Sequence, residues 1–232
     1  MGNVVAIHQP NFMPWIGYFY KIYTADKFIF LDNVQIQKPG ASYTNRVGIL
    51  TGGNIKHLTV PIKRGPGFSN INETEYVNDK WKKKMISTLQ GSYARSSYFK
   101  INKDFIFELI NFEADNLADY NMNFVKAIVK KLDFDTVFFN SSQFEIKSVS
   151  TERLIDLTNA VDGNIYLSGS GGDHYQDHDL YEKSEIKLIY NDVPDFQYEQ
   201  IKSDLFTPGL SIVDAIFNIG FDNLINKVFI PK

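Results

Sequence analysis

The sequence predicts an α/β fold: a mostly parallel, Rossmann-like sheet flanked by helices, with an antiparallel β insertion around residues 40–75. Three observations support it. Apolar runs at residues 4–7 and 27–31 have the length of buried strands, and residues 15–24 between them have a helical pattern. Two strands joined through one helix form a βαβ unit, whose strands lie parallel.

The insertion is predicted from a change of pattern after the second strand. Residues 46–50 and 56–60 indicate two antiparallel strands joined by the turn Thr51-Gly52-Gly53-Asn54. The breaker Gly65-Pro66-Gly67 follows them.

The rest of the chain returns to helices and strands. Helical periodicity extends from about Asp79 to Lys131. Later strands and a helix alternate at the spacing of a parallel sheet. They are predicted at residues 136–139 (strand), 150–161 (helix), 165–167 (strand) and 186–190 (strand). Since no repeat or low-complexity linker interrupts the chain, we expect a single domain over residues 1–232.

Composition excludes several classes of function. The chain has no cysteine, which excludes disulfides, thiolate zinc sites and a cysteine nucleophile. A net charge of −3 gives no reason to expect a nucleic-acid partner. No apolar run approaches the length of a membrane span, and no signal segment precedes the first strand, so we expect a cytoplasmic protein. The high Phe and Tyr content is compatible with a homodimer.

One basic cluster, Lys80-Trp81-Lys82-Lys83-Lys84, stands out from this balance. We interpret it as a solvated helix face. The alternative is a contact patch for an anionic substrate or a membrane phosphate.

The first candidate site follows the first strand. The segment from His8 to Phe19 is polar, then aromatic, and it leads into a helix. Open α/β sheets bind ligands outside the carboxyl ends of their strands, so this loop is a candidate binding loop. The alternative is an ordinary polar turn with aromatic residues packed beneath it.

The second candidate is the Gly/Ser-rich loop that begins at Ser168. Such a loop lets backbone N–H groups approach a phosphate or carboxylate. It matches neither a GxGxxG motif nor a P-loop, and a flexible turn is the alternative. His174 and His178, four residues apart, could share a helix face, but no third ligand has a diagnostic spacing, so we expect no metal site.

The third candidate group surrounds Asp32 at the end of the second strand. If the following loop folds back over the sheet, Lys38 and Arg46 could neutralise a phosphate or carboxylate near His8. His8 or Asp32 would then be the general base. An Asp–Arg ion pair that fixes the loop is the alternative, and we interpret His57 as structural.

The sequence also resembles the WbqC-like family over its whole length. The first part of the resemblance lies in His8-Gln9-Pro10-Asn11, Pro14-Trp15-Ile16-Gly17-Tyr18-Phe19, Lys21, Phe30-Leu31-Asp32, Val34-Gln35, Lys38 and Asn45-Arg46. It continues in Leu58-Thr59-Val60-Pro61, Trp81, Tyr166-Leu167-Ser168-Gly169, Gly171-Gly172, Tyr175, Tyr198, Gln200, Leu210-Ser211-Ile212 and Asp214.

The resemblance implies a role in bacterial O-antigen (lipopolysaccharide) or other surface-polysaccharide biosynthesis, with glycine transfer to an amino sugar as one activity. It implies His8 and Asp32 as catalytic residues. The residues it implies for substrate binding are Gln9, Asn11, Tyr18, Lys21, Gln35, Lys38, Asn45, Arg46, Ser168, Gly169, Gly171, Gly172 and Tyr175.

A more distant resemblance is to the start of HxGH nucleotidylyltransferases, with Trp15 and Tyr18 in place of the two histidines. ATP and magnesium would be the cofactors only if the chain kept that chemistry, so the sequence leaves the cofactor open. Three functions therefore stay open: an acyl- or aminoacyltransferase that forms an amide on a nucleotide-linked deoxyamino sugar, an adenylate-forming or nucleotidylyltransferase-like enzyme, and a non-catalytic module that binds a sugar nucleotide or a protein.

Overall fold

The computed structural model describes residues 2–36, 42–63, 69–169, 171 and 176–229. They group into two compact units. Unit 1 consists of Met1–Gln9, Gly17–Asn33 and Phe134–Pro194, and unit 2 of Pro10–Ile16, Val34–Asp133 and Asp195–Lys232.

The strands, in chain order, are β1 (Val4–His8), β2 (Lys27–Phe30), β3 (Arg46–Thr51), β4 (Asn54–Thr59), β5 (Val137–Asn140), β6 (Ile165–Ser168) and β7 (Lys187–Tyr190). The α-helices are α1 (Ile16–Thr24), α2 (Lys80–Tyr93), α3 (Phe99–Asn111), α4 (Leu117–Lys131), α5 (Ser150–Ala160), α6 (His178–Lys183) and α7 (Ile212–Lys227). Two short 3₁₀ turns lie at Ile71–Glu73 and Ser141–Gln143.

Unit 1 contains a five-stranded sheet in the order β5-β2-β1-β6-β7. Every neighbouring pair in it is parallel. Counted along the chain, the strands of this sheet lie in the order 3-2-1-4-5, which is the Rossmann order. The predicted mostly parallel sheet is thus confirmed, and its topological switch point lies between β1 and β6.

Helices pack on the sheet of unit 1 because its strands are apolar on both sides. One side forms a core cluster with α5 and the following segments, and its members include Val5, Ile29 and Ile155. On the alternate residues of β2, Phe28 contacts Tyr18 of α1 with ring centroids 5.6 Å apart. Strands buried on both faces are what a parallel sheet requires.

The predicted β insertion is confirmed as a two-stranded antiparallel sheet, β3–β4, in unit 2. Gly52 and Gly53 form its turn with φ of 58° and 79°, a left-handed conformation that glycine adopts without steric cost. The breaker Gly65-Pro66-Gly67 lies outside the described residues.

The predicted helical region of unit 2 contains α2, α3 and α4, and α7 packs with α3. Gly220 interrupts α7 with φ of 77°, and an added Cβ there would lie 2.5 Å from a ring carbon of Tyr98. Both facts require glycine at this position. None of the described helices is long and apolar enough to cross a membrane.

The interpretation of the Lys80–Lys84 cluster as a solvated face is wrong for two of its residues. Trp81 is only 7% exposed and Lys82 only 4%. The Lys82 ammonium bonds to Asp79 at 2.7 Å and to the carbonyl of Phe112 at 2.8 Å. This lysine therefore packs inside unit 2, although its neighbours in the sequence are also basic. Lys83 and Lys84 are exposed.

Candidate functional site

At the switch point of unit 1, the pairing of β1 with β6 ends earlier along β1 than the pairing of β1 with β2. Pairing of β1 with β6 stops at Ala6, which lies opposite Leu167. Pairing of β1 with β2 continues to His8, which lies opposite Phe30. At the carboxyl end of β1 the β6 side is therefore left unpaired, and Rossmann-type sheets bind ligands at this position.

Lys21 of α1 reaches into that gap. The carbonyl of His8 accepts a bond from Leu31 on the β2 side, so the preceding carbonyl, that of Ile7, points to the β6 side. The Lys21 ammonium donates to the Ile7 carbonyl at 2.9 Å and lies 5.9 Å from the ring centroid of Tyr166 in β6. A cation thus occupies the end of the β1–β6 ladder.

No carboxylate neutralises this cation among the described residues. Lys21 is 3% exposed, and none of the ion pairs seen in the described ranges includes it. Burial lowers the pKa of Lys21 to about 7. A buried ammonium without a counter-charge is costly to the fold, which makes it a candidate for binding an anionic ligand.

His8 lies beside Lys21, partly buried at the strand end. Burial, followed by the positive charge of Lys21, lowers the pKa of His8 to about 4, so the imidazole is neutral at pH 7. Its Nδ1 lies 3.1 Å from the carbonyl oxygen of Gln9, which only accepts, so Nδ1 carries the proton and Nε2 is the unprotonated nitrogen. Tyr18 fixes the same carbonyl with its hydroxyl at 3.0 Å and contacts the His8 ring edge-on.

The Gly/Ser loop leaves β6 on the other side of the gap. Ser168 is buried, and its hydroxyl accepts a bond from Gln176 at 3.3 Å. Gly169 and Gly171 have φ outside the left-handed region, and a Cβ at either would meet no atom of the described residues within 4 Å. Among the described residues, the space beside these two glycines is therefore open to the approach of a ligand.

Asp32 follows β2 and is 2% exposed. Its carboxylate accepts bonds from the Ser141 hydroxyl at 2.9 Å, the Ser142 backbone N–H at 2.9 Å and the Ser142 hydroxyl at 2.6 Å. These donors belong to the 3₁₀ turn that follows β5. With both oxygens occupied, Asp32 joins the ends of two strands, an arrangement that favours a positioning role over that of a general base.

Arg153 is a residue of this edge that our sequence analysis missed. It lies in the first turn of α5, and its guanidinium donates to the side-chain oxygen of Asn33, which follows β2. Its Nε is buried with no partner among the described residues. An Arg in the first turn of the helix after β5 is the signal that could have found it, because helix starts lie at the carboxyl edge of such a sheet.

Four of the predicted residues lie in unit 2. Asn11 is buried, Gln35 is exposed, and the Asn45 amide donates to the carbonyl of Val60 at 3.0 Å, which closes the β3–β4 hairpin. Arg46 begins β3. Unit 1 contains the other eight described residues, His8, Gln9, Tyr18, Lys21, Asp32, Ser168, Gly169 and Gly171, of which the first four lie against one another.

Lys38, Gly172 and Tyr175 lie outside the described residues, as does His174 of the metal pair that the sequence disfavoured. Within the described ranges, no group of His, Asp or Glu has the arrangement of a metal site.

Unit 2 has a buried carboxyl group of its own, that of Asp214 in α7. It accepts bonds from the hydroxyls of Tyr93 and Tyr198, both at 2.7 Å, and from the amide of Gln200 at 3.0 Å. Burial raises the pKa of Asp214, although these bonds oppose the rise. Tyr198 and Gln200 come from the segment before α7, so the network fixes that segment.

The sequence profile of the WbqC-like protein family matches residues 9–225. The chain belongs to this family. It is 30% identical over 219 residues to the uncharacterized protein Rv1507c of Mycobacterium tuberculosis, with 93% of this chain and 94% of that protein covered. No solved structure matches the chain. The family explains the sequence pattern around the switch point but assigns no reaction to it.

Proposed function

We propose that this chain is an acyl- or aminoacyltransferase that forms an amide on the amino group of a nucleotide-linked deoxyamino sugar. The observation that carries the proposal is the buried Lys21 ammonium at the β1–β6 switch point, which has no carboxylate partner among the described residues. The phosphates of a sugar nucleotide would provide the missing negative charge. Nucleotides bind at this position in sheets of the same strand order.

Two further features would help to hold the phosphates. The backbone at Gly169 and Gly171 is open to a ligand, and Arg153 retains an unpartnered Nε at the same edge of the sheet. A bound anion would raise the pKa values of Lys21 and His8, because it stabilises their charged forms. Substrate binding would therefore make His8 a better base than it is in the free protein.

In the proposed reaction, the sugar amine attacks the carbonyl carbon of an activated acyl donor. The new C–N bond forms, the bond from the carbonyl carbon to the leaving group breaks, and the leaving group departs with the electron pair. Nε2 of His8 accepts the proton that the amine loses. The backbone N–H groups of Gly169 and Gly171 would stabilise the oxyanion, and Asp32 would keep the strand ends in place.

An adenylate-forming reaction is the second candidate, because a switch point that binds a sugar nucleotide would equally accept ATP. ATP with magnesium would activate the carboxylate of glycine as an acyl-adenylate, with release of pyrophosphate. The amine would then capture the acyl group and release AMP.

Mass spectrometry tests the proposal. The protein is incubated with a thymidine-diphosphate-linked 4-amino sugar, glycine, ATP and magnesium, with each component omitted in turn and with a glycyl thioester as a pre-activated donor. A glycine-sized mass gain that needs ATP supports the transferase and the adenylate route. A gain with the thioester alone supports the transferase and excludes that route. No gain with any donor overturns the proposal, and sugar-nucleotide binding without turnover then identifies a binding module.

Two variants test the role of His8. We expect His8→Asn to lower turnover on the order of 100-fold, the usual size of a general-base contribution, while the sugar nucleotide still binds. The matched control is His178→Asn, a change at an exposed position of α6. Equal turnover in the His8 variant and the wild type would exclude His8 as the base.

A further inference from the structure

The two outer edges of the β3–β4 hairpin differ in whether their main-chain groups are hydrogen-bonded. Val60 donates to the carbonyl of Asn45 at 2.8 Å, so these two residues form a hydrogen-bonded pair. Hydrogen-bonded and non-hydrogen-bonded pairs alternate along β3–β4 from this pair. The main-chain groups of Gly48 and Leu50 therefore point away from β4, and both are covered: Ser211 donates to the Gly48 carbonyl at 2.9 Å, and the Leu50 N–H donates to the Tyr93 hydroxyl at 3.0 Å.

Within the described ranges, the outer edge of β4 has no such cover. By the same alternation, the main-chain groups of His57 and Thr59 point away from β3. Among the described residues nothing bonds to them on that side. An open strand edge leaves N–H donors available to a ligand.

A cleft of about 300 Å³ lies beside this edge. It is lined by Lys56, His57, Leu58 and Thr59 of β4 and by Trp81, Lys84, Met85 and Thr88 of α2. Neighbouring residues of a strand point to opposite faces, so a cleft lined by four in succession runs along the strand's edge. Its volume suits a small ligand.

The charged side chains that line this β4–α2 cleft are cationic. Trp81 is 7% exposed, and its indole N–H is buried without a partner in the described part of the chain. Lys56 and Lys84 form none of the ion pairs found among the described residues, and no carboxylate lines the cleft. Arg46, opposite Thr59 in the hairpin, adds to the positive potential and helps to lower the pKa of His57.

We propose that the β4–α2 cleft binds a phosphate-bearing small molecule through the Lys56 and Lys84 ammonium groups and the outward main-chain N–H groups of β4, with Trp81 in the wall of the cleft. A phosphate dianion matches two ammonium groups in charge, and its three terminal oxygens accept more bonds than the two of a carboxylate. Leu58 and Met85 provide an apolar wall for the organic part of the ligand. This site is independent of the proposed transferase activity.

Trp81 itself can report binding. The chain has two tryptophans, so Trp15→Phe leaves Trp81 as the single tryptophan, which can be excited apart from the tyrosines. Inorganic pyrophosphate and ribose 5-phosphate are titrated into this variant, and calorimetry repeats the measurement with the wild type. We expect a saturable fluorescence change, with the affinity reduced at least about 5-fold by Lys56→Gln and by Lys84→Gln.

Controls separate this site from other sources of signal. Lys83→Gln, at an exposed neighbour on α2, should leave the affinity unchanged. Lys21→Met should leave the Trp81 signal unchanged, which distinguishes the cleft from the switch point. An equal loss in Lys83→Gln, or no saturable binding by either method, overturns the proposal. Equal affinity for succinate, or binding only of an acidic peptide, overturns the assignment to phosphate.

Discussion

Lys21 in unit 1 and Lys82 in unit 2 are both buried, with exposed fractions of 3% and 4%. Each ammonium donates to a backbone carbonyl, at 2.9 Å to Ile7 and at 2.8 Å to Phe112. Their surroundings differ in charge. Lys82 has the carboxylate of Asp79 at 2.7 Å and three aromatic rings within 6 Å, whereas Lys21 has one ring and no carboxylate among the described residues.

The difference separates a structural lysine from a candidate functional one. Lys82 is compensated within the fold by Asp79, so its charge does not require an external anion. Lys21 is left uncompensated at the carboxyl end of β1, where the fold places ligands. Burial by itself therefore does not mark a functional lysine, whereas burial without a counter-charge at the switch point does.

The largest expected effect is on ligand binding at the switch point. Lys21→Met keeps the shape of the side chain and removes the charge, so we expect turnover, or sugar-nucleotide affinity, to fall on the order of 100-fold. Lys82→Met should leave both unchanged. Steady-state kinetics and calorimetry on the two variants check this, and a loss that is equal in both would abolish the distinction between the two lysines.

The second effect is on stability, where we expect the Lys82 variant to lose more than the Lys21 variant. Lys82→Met should lower the free energy of unfolding by about 1.5–3 kcal/mol, because it removes a charge-assisted hydrogen bond and leaves the Phe112 carbonyl unpaired. At pH 6, Lys21→Met should cost less, because it also relieves a buried charge. Urea denaturation measures both, with the exposed Lys83→Met as a control expected within about 0.5 kcal/mol of the wild type. A greater loss in Lys21→Met than in Lys82→Met would contradict the comparison.

The third effect is a pH dependence, which is the smallest of the three only when it is expressed per pH unit. The pKa of Lys21 falls from 10.5 in the unfolded chain to about 7 in the folded one. Between these values the unfolded state holds the extra proton, so Lys21 makes stability rise with pH by at most about 1.4 kcal/mol per unit. The stability of the wild type relative to Lys21→Met should therefore increase from pH 7 to pH 10. If the free energy of unfolding changed with pH in the same way in both proteins, Lys21 would keep its ordinary pKa in the folded state.

Much of the fold followed from local pattern. The apolar runs at β1 and β2, the helix between them and the hairpin turn at Gly52-Gly53 were all predicted close to their observed bounds. Each depends on neighbours in the sequence, such as buried strand residues or glycines with positive φ. The order of the strands did not follow, because pairing of β1 with β6 joins residues far apart in the chain.

The sequence by itself determined which strand ends carry polar residues, and His8, Asp32 and Ser168 all lie at such ends. Only the tertiary structure decided their chemistry. Asp32 is occupied by donors from Ser141 and Ser142, more than one hundred residues away, and the lysine at position 21 lies at the end of the β1–β6 ladder. The physical reason is that residue type fixes which charges exist, whereas burial and counter-charges, which set their energies, come from segments distant in sequence.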